Sequence, residues 1–190
     1  MPDLSIERSS ALGAFASSVR PCAVAEFRTL AAMARFVFRG RPAAIEKASQ
    51  AFKCALPRSI CRAAVAGTRA ALCVGPDEWI LLASDTDSQA ITRQFDAALA
   101  DLPHSLVDVS HRHTGLTIDG CQAAAVLNHG CPLDLSLRTF PIGMCTRTVL
   151  GKAEITLWRR AEVSFYLETG RSFGHYVWRF LEGARREFEE

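Results

Sequence analysis

Between Ala34 and Gly40 the chain alternates, with Ala34, Phe36 and Phe38 on one side and Arg35, Val37 and Arg39 on the other, the period of two of a half-buried strand. Gly40 ends it. Pro42 suits a first helical turn, and Ile45, Ala48 and Phe52 follow at spacings of three and four, predicting an amphipathic helix to about Cys54, with Pro57 beyond its end. Two apolar runs, Ala70 to Val74 and Trp79 to Ala83, flank Gly75-Pro76-Asp77-Glu78, in which proline and aspartate favour a turn, so a strand hairpin is expected with Trp79 as a packed strand residue. Asp85 and Ser88 offer N-caps to a helix carrying Ile91, Phe95, Leu99 and Leu102, and Pro103 closes it.

The second half repeats this order. Phe36-Val37-Phe38-Arg39-Gly40 aligns with Leu116-Thr117-Ile118-Asp119-Gly120, and Ala43-Ala44 with Ala123-Ala124, at an offset of 80 residues. A helix is expected from about Cys121 to Gly130, with the glycine as a left-handed cap. Strands are expected at Thr148 to Arg159 and Val163 to Leu167, followed by a last helix capped by Ser172 and carrying Phe173, Val177, Phe180, Leu181 and Ala184. Each half reads as strand, helix, two strands, helix. The expectation is an α+β protein of two similar ferredoxin-like or split βαβ halves, with helices on one face of antiparallel or mixed sheets. Residues 1 to about 30 have no sustained period and are expected to be an irregular arm, with halves at 31–105 and 106–190.

The chain has 190 residues, 49% hydrophobic and 22% charged, which is ordinary for a globular protein. Its formal net charge of +2 is close to balance and its arginines are scattered rather than massed on one helix or arm, so no nucleic-acid footprint is evident. The start, Met-Pro-Asp-Leu-Ser-Ile-Glu-Arg, carries acids and no long apolar core, and no later run approaches a membrane span, so a cytoplasmic protein without a membrane partner is expected. The seven cysteines never form Cys-x-x-Cys, which argues against a zinc ribbon or a redox dithiol; Cys131 and Cys145 lie in loop-like sequence where a thiolate can be exposed. Gly151-Lys152 is not a phosphate loop, because Thr146 stands where glycine is required and Ala153 where serine or threonine is. No Gly-x-Gly-x-x-Gly turn is present to hold a dinucleotide.

The most reactive-looking residues lie in Val107 to Gly120. Asp108, Ser110 and His111 invite a hydrolase reading, but on an extended strand Asp108 and Ser110 share a face that His111 does not. No Gly-x-Ser-x-Gly turn presents a nucleophile. A structural strand end or partner-contact loop is expected instead, and no catalytic, cofactor or metal residue is assigned. Asp108, Asp119 and Asp134 are expected to cap turns or pair with Arg112 and Arg147. The longest loop, Gly130 to Arg147, is dense in Pro, Gly and apolar residues and either packs back on its own domain or meets another chain. Leu133, Leu135, Phe140, Ile142, Met144, Arg147 and His111 are the candidates for partner contact, and the arm residues Leu12, Phe15 and Val19 are a second place for leftover apolar surface.

Six segments in order carry a resemblance: Gly75-Pro76-Asp77-Glu78-Trp79; Asp108-Val109-Ser110-His111-Arg112; Gly130-Cys131-Pro132-Leu133-Asp134-Leu135; Cys145-Thr146-Arg147-Thr148; Gly151-Lys152-Ala153-Glu154; and Arg171-Ser172-Phe173 with Tyr176 and Trp178. Across roughly residues 30 to 185 the chain resembles the gamma subunits of heterotetrameric sarcosine oxidases, and its repeated halves resemble the wider T-protein-like folate-binding domains. His113, where an amide is expected, and Gly115 depart from the pattern. The resemblance implies a complex that demethylates sarcosine to glycine, yields hydrogen peroxide and passes the one-carbon unit to tetrahydrofolate. It implies FAD, FMN, NAD and the folate site on the alpha and beta subunits, zinc on delta, and a structural gamma subunit with no cofactor of its own. The alternative is a free-standing folate-binding or aminomethyl-transfer module, for which two such units in place of three are few.

Overall fold

The computed structural model describes residues 11–16 and 24–188. Among them the chain runs α1 (Gly13–Ala16), β1 (Glu26–Thr29), β2 (Met33–Gly40), α2 (Pro42–Phe52), β3 (Arg62–Ala66), β4 (Arg69–Gly75), β5 (Glu78–Ser84), α3 (Ser88–Ala98), β6 (His104–Asp108), β7 (His113–Asp119), α4 (Ala123–Asn128), β8 (Cys145–Leu150), β9 (Ala153–Ala161), β10 (Ser164–Gly170) and α5 (Gly174–Arg185). A first sheet has the order β3-β4-β5-β2-β6 and a second the order β1-β7-β10-β9-β8, with antiparallel pairing throughout. No helix among the described residues is long and apolar enough to cross a membrane.

The alternation of β2 puts Ala34, Phe36 and Phe38 under α2 and α3, in a core with Ile45, Ala48, Phe52, Ile91, Phe95 and Leu99. Lys53, left-handed at φ 52°, closes α2 by donating its amide to Ser49 and Gln50 carbonyls. Trp79 is a packed strand residue whose Nε1 donates to the Pro57 carbonyl at 2.8 Å. On the second sheet the helix-facing core gathers Leu116, Ile118, Ile155, Leu157, Phe165 and Leu167 against Val126, Leu127, Val177, Trp178 and Leu181. A third cluster, with Leu72, Ile80 and Leu82 from one sheet and Cys145, Trp158 and Tyr166 from the other, lies between the sheets. The molecule is thus four layers, helices, sheet, sheet, helices, and each sheet's inner face is covered by its sister.

Several expectations need correction. Three strands, not two, separate the helices of each half. β3 has too little apolar alternation to be read as a strand, and the expected strand Thr148 to Arg159 is broken into β8 and β9 by a turn at Gly151, whose φ is 57°. α3 and α5 follow short 3-10 turns at Asp85–Asp87 and Arg171–Phe173, and neither start carries a side-chain cap; Ser88 donates instead to Asp108 Oδ2 at 2.9 Å. Gly130 is not a left-handed cap. It is glycine because a Cβ there would lie 2.6 Å from the Phe180 ring and 2.9 Å from the Gly151 nitrogen.

β6 runs across residue 105, and β1, within the segment expected to be irregular, is the outer strand of the second sheet. It holds there the place that β6 holds in the first. The described part of the arm packs on its own chain: Leu12 is buried in the second core, and the Phe15 ring lies 5.4 Å from that of Trp178. Val19 lies outside the described residues.

Candidate functional site

The stretch from Asp108 to His113 is the hinge between β6 and β7. The Asp108 carboxylate accepts from the Ser110 amide at 2.8 Å, from the Ser110 hydroxyl at 2.5 Å and from Ser88, while Ser110 Oγ accepts from the Arg35 amide at 2.9 Å. Burial works against the Asp108 charge, but these hydrogen bonds, aided by His111, outweigh it and hold the carboxyl below its ordinary range. The serine proton is directed to the carboxylate rather than to an imidazole, and His111 is exposed. Chemically this is a turn clamp that fixes the crossing between sheets.

The long loop returns to its own domain. Leu135 and Phe140 are each 1% exposed in the second core, so these two have no surface to offer another chain, contrary to their place among the contact candidates. Asn128 donates to the Cys131 and Leu133 carbonyls, Asp134 accepts from the Ser136 amide and the Thr139 hydroxyl, and buried Arg159 donates to the Leu135 and Glu162 carbonyls. Leu133 and Met144 are half-buried against the core, whereas Ile142 is 56% exposed. Arg147 pairs with Glu78 of the β4–β5 hairpin, linking the sheets, and not with Asp108, Asp119 or Asp134; Asp119 accepts from Ser164. The side chain of Arg112 has no partner among the described residues.

Cys131 and Cys145 are buried, which corrects the reading of exposed thiolates. Burial, with Cys61 and Cys73 adding to it, pushes the Cys145 thiol up to about 12. Iodoacetamide treatment of the native chain near pH ~8 should therefore mark exposed Cys121 and leave Cys131 and Cys145 intact until the chain is denatured. Peptide mapping that found Cys145 labelled as fast as Cys121 would contradict this burial.

The least expected group lies between the sheets. Arg35 Nε meets Glu168 Oε2 at 2.9 Å, with side chains only 4% and 3% exposed, and the Tyr166 hydroxyl donates to the same carboxylate oxygen. Burial disfavours the Arg35 charge, but Tyr166 and Glu168 more than restore it, so its pKa is raised; Tyr166, fully enclosed, is pushed well above its ordinary value by burial and by Glu168. Gly115 makes room for this pair, because a Cβ there would stand 3.2 Å from Arg35 Nη2 and 3.0 Å from Leu30. The departure noted at Gly115 is thus tied to Arg35. Beside the ion pair, a cleft of about 330 Å³ opens between the sheets, lined by Val37 and Ile80 on one side and by Glu154, Thr156 and Glu168 on the other, with Arg112 and His113 also on its walls. Sequence reasoning missed Arg35, Tyr166 and Glu168 because an arginine and a glutamate 133 positions apart carry no local sign of pairing.

The model of the sarcosine oxidase, gamma subunit family matches residues 39–187. The sarcosine oxidase subunit gamma of Corynebacterium sp. (strain P-1) is 31% identical over 175 residues, covering 92% of this chain and 78% of that one. Among solved structures, a chain of the heterotetrameric sarcosine oxidase from Corynebacterium sp. U-96, in complex with pyrrole 2-carboxylate, superposes with a TM-score of 0.88 at 27% identity, over 96% of this chain and 97% of that one. The glycine cleavage system aminomethyltransferase T from Bartonella henselae shares the fold, with a TM-score of 0.66 at 15% identity, over 85% of this chain and 46% of that one. With the family match spanning both sheets, and with the six segments falling on the hairpin, the hinge, the long loop, β8, the β8–β9 turn and the start of α5, the chain belongs to the sarcosine oxidase gamma subunit family.

Proposed function

We propose that the chain is a structural and assembly subunit of a heterotetrameric sarcosine oxidase, an oxidoreductase that demethylates sarcosine to glycine with release of hydrogen peroxide and passes the one-carbon unit to tetrahydrofolate. In this reading the alpha and beta subunits hold FAD, FMN, NAD and the folate site, the delta subunit holds zinc, and this chain supplies shape rather than reacting groups. The superposition along nearly the whole chain on a member of such a heterotetramer carries the reading. The use of Asp108 and Ser110 as a turn clamp is consistent with it. The surface proposed for the partner is the exposed tip of the long loop, Leu137 and Ile142 with half-buried Leu133 and Met144, and the hinge at His111; Leu135 and Phe140 support it from below, and Arg147 is held by Glu78.

Co-expression of the tagged chain with the three other subunits should recover a stoichiometric flavoprotein complex, whereas the chain purified alone should be colourless and should not oxidise sarcosine. If the chain instead emerges alone from co-expression and binds tetrahydrofolate by itself, the free-standing folate module is the better reading.

A further inference from the structure

The inter-sheet cleft has a charge pattern that the fold does not use up. Across the second sheet, Arg147, Thr156 and Glu168 form a row by strand register, Arg147 opposite Thr156 and Thr156 opposite Glu168. Two members of that row are already neutralised, Arg147 by Glu78 and Glu168 by Arg35. The groups left on the cleft wall are one guanidinium, Arg112, and one carboxylate, Glu154, and neither has a side-chain partner among the described residues. Thr156 lines the same cleft; the residue is 93% buried, but its hydroxyl oxygen stays accessible and makes no hydrogen bond within the described protein. His113 Nδ1 is buried with no hydrogen-bond partner. The opposite wall, Val37 and Ile80, is apolar.

The Thr156 hydroxyl, open to the cleft, is free to be met by water or by a ligand, whereas the sealed His113 nitrogen is out of a ligand's reach. The charges say which ligand. A simple anion would meet Glu154, and a simple cation would meet Arg112; only a molecule with one charge of each sign satisfies both and leaves the cleft neutral. We propose that this cleft binds a small α-amino acid as its zwitterion, with the carboxylate on Arg112, the ammonium on Glu154, and the Thr156 hydroxyl completing the polar contacts. Arg112 suits a carboxylate because its planar fork donates two parallel hydrogen bonds. A short side chain then rests on Val37 and Ile80.

The test is a titration of the full chain, isotopically labelled, with glycine and alanine as probes, followed by amide NMR. Saturable shifts are expected at Thr156, Arg112 and Val37, with a Kd of about 1–10 mM, as suits a ligand of so few heavy atoms. Arg112→Gln and Glu154→Gln, both at exposed positions, should each weaken binding by about tenfold or more, the cost of losing one charge-assisted contact. Acetate and methylammonium should each bind at least about tenfold more weakly than glycine by the same reasoning. The proposal is overturned by the absence of saturable shifts, by binding that survives both substitutions unchanged, or by acetate matching glycine, which would make the cleft an anion site.

Discussion

Phe140→Ala is expected to destabilise the chain by about 3–5 kcal/mol, the usual cost of emptying a filled aromatic site, and to lower its melting temperature by roughly 6–20 °C. The ring is sealed in the second core with Leu135 and Cys131. The loop that carries it is pinned by the Phe140 amide to the Ser136 carbonyl at 2.8 Å and by Arg159 to the Leu135 carbonyl, so the cavity has few ways to collapse. Two positions on, Ile142→Ser should change stability by no more than about 0.5 kcal/mol, because that side chain already stands in solvent. Its effect should fall on assembly, as a lower yield of co-purified complex. Urea unfolding of the two variants, with the complex yield of each, separates the roles. If Phe140→Ala unfolds normally but fails to assemble, the loop is an interface after all.

The largest effect outside that core should come from Glu168. Its replacement by alanine leaves the Arg35 guanidinium and the Tyr166 hydroxyl enclosed between two sheets without their acceptor, and removal of one partner from such a pair costs about 3–5 kcal/mol. The paired replacement Arg35→Met with Glu168→Leu should restore most of the loss, because the charges pay heavily for leaving water. A double variant as unstable as the single one would mean that the ion pair, rather than its satisfaction, holds the sheets together. The pH dependence has a definite sign. Tyr166 titrates well above its ordinary 10.0 in the folded chain, so its contribution is complete below that value and is lost as the pH climbs from there toward the folded pKa. Alkaline denaturation should therefore begin later in Tyr166→Phe than its neutral-pH stability alone implies.

Arg35 also shows where reading from sequence stops. Alternation along β2 separates Phe36 and Phe38 from Arg35, Val37 and Arg39, and that separation holds in the fold. What alternation cannot say is what covers the second face. Arg39 reaches solvent and Asp77, whereas Arg35, four residues earlier on the same side, is sealed by the sister sheet; the difference lies entirely in residues of another strand. The hairpin at Pro76-Asp77 was legible because its turn chemistry is local, as was α2 from Pro42 to Phe52. The long loop was ambiguous for a matching reason. Leu135 and Phe140 have the same composition whether they fill their own core or a partner's, and only the Arg159 and Asp134 clamps decide. The candidate cleft was hidden too, since Arg112 and Glu154 become notable only once their neighbours are seen to be paired elsewhere.

The placement of β1 bears on the order in which the molecule can be made. Glu26 pairs with Asp119 and Thr29 with Leu116, so the outer strand of the second sheet is synthesised first and must wait for β7. By then the first sheet, complete from β2 to β6, is already available to fold. The loop closed by this late pairing also brings the two ends of the domain together, because Arg185, at the end of α5, donates to the Ala25 carbonyl at 3.4 Å and lies over the Phe27 ring. In connectivity the chain is therefore close to a ring of two repeats, cut one strand early, and a break between β1 and β2 with a short splice from α5 to β1 would yield the same two sheets in tandem.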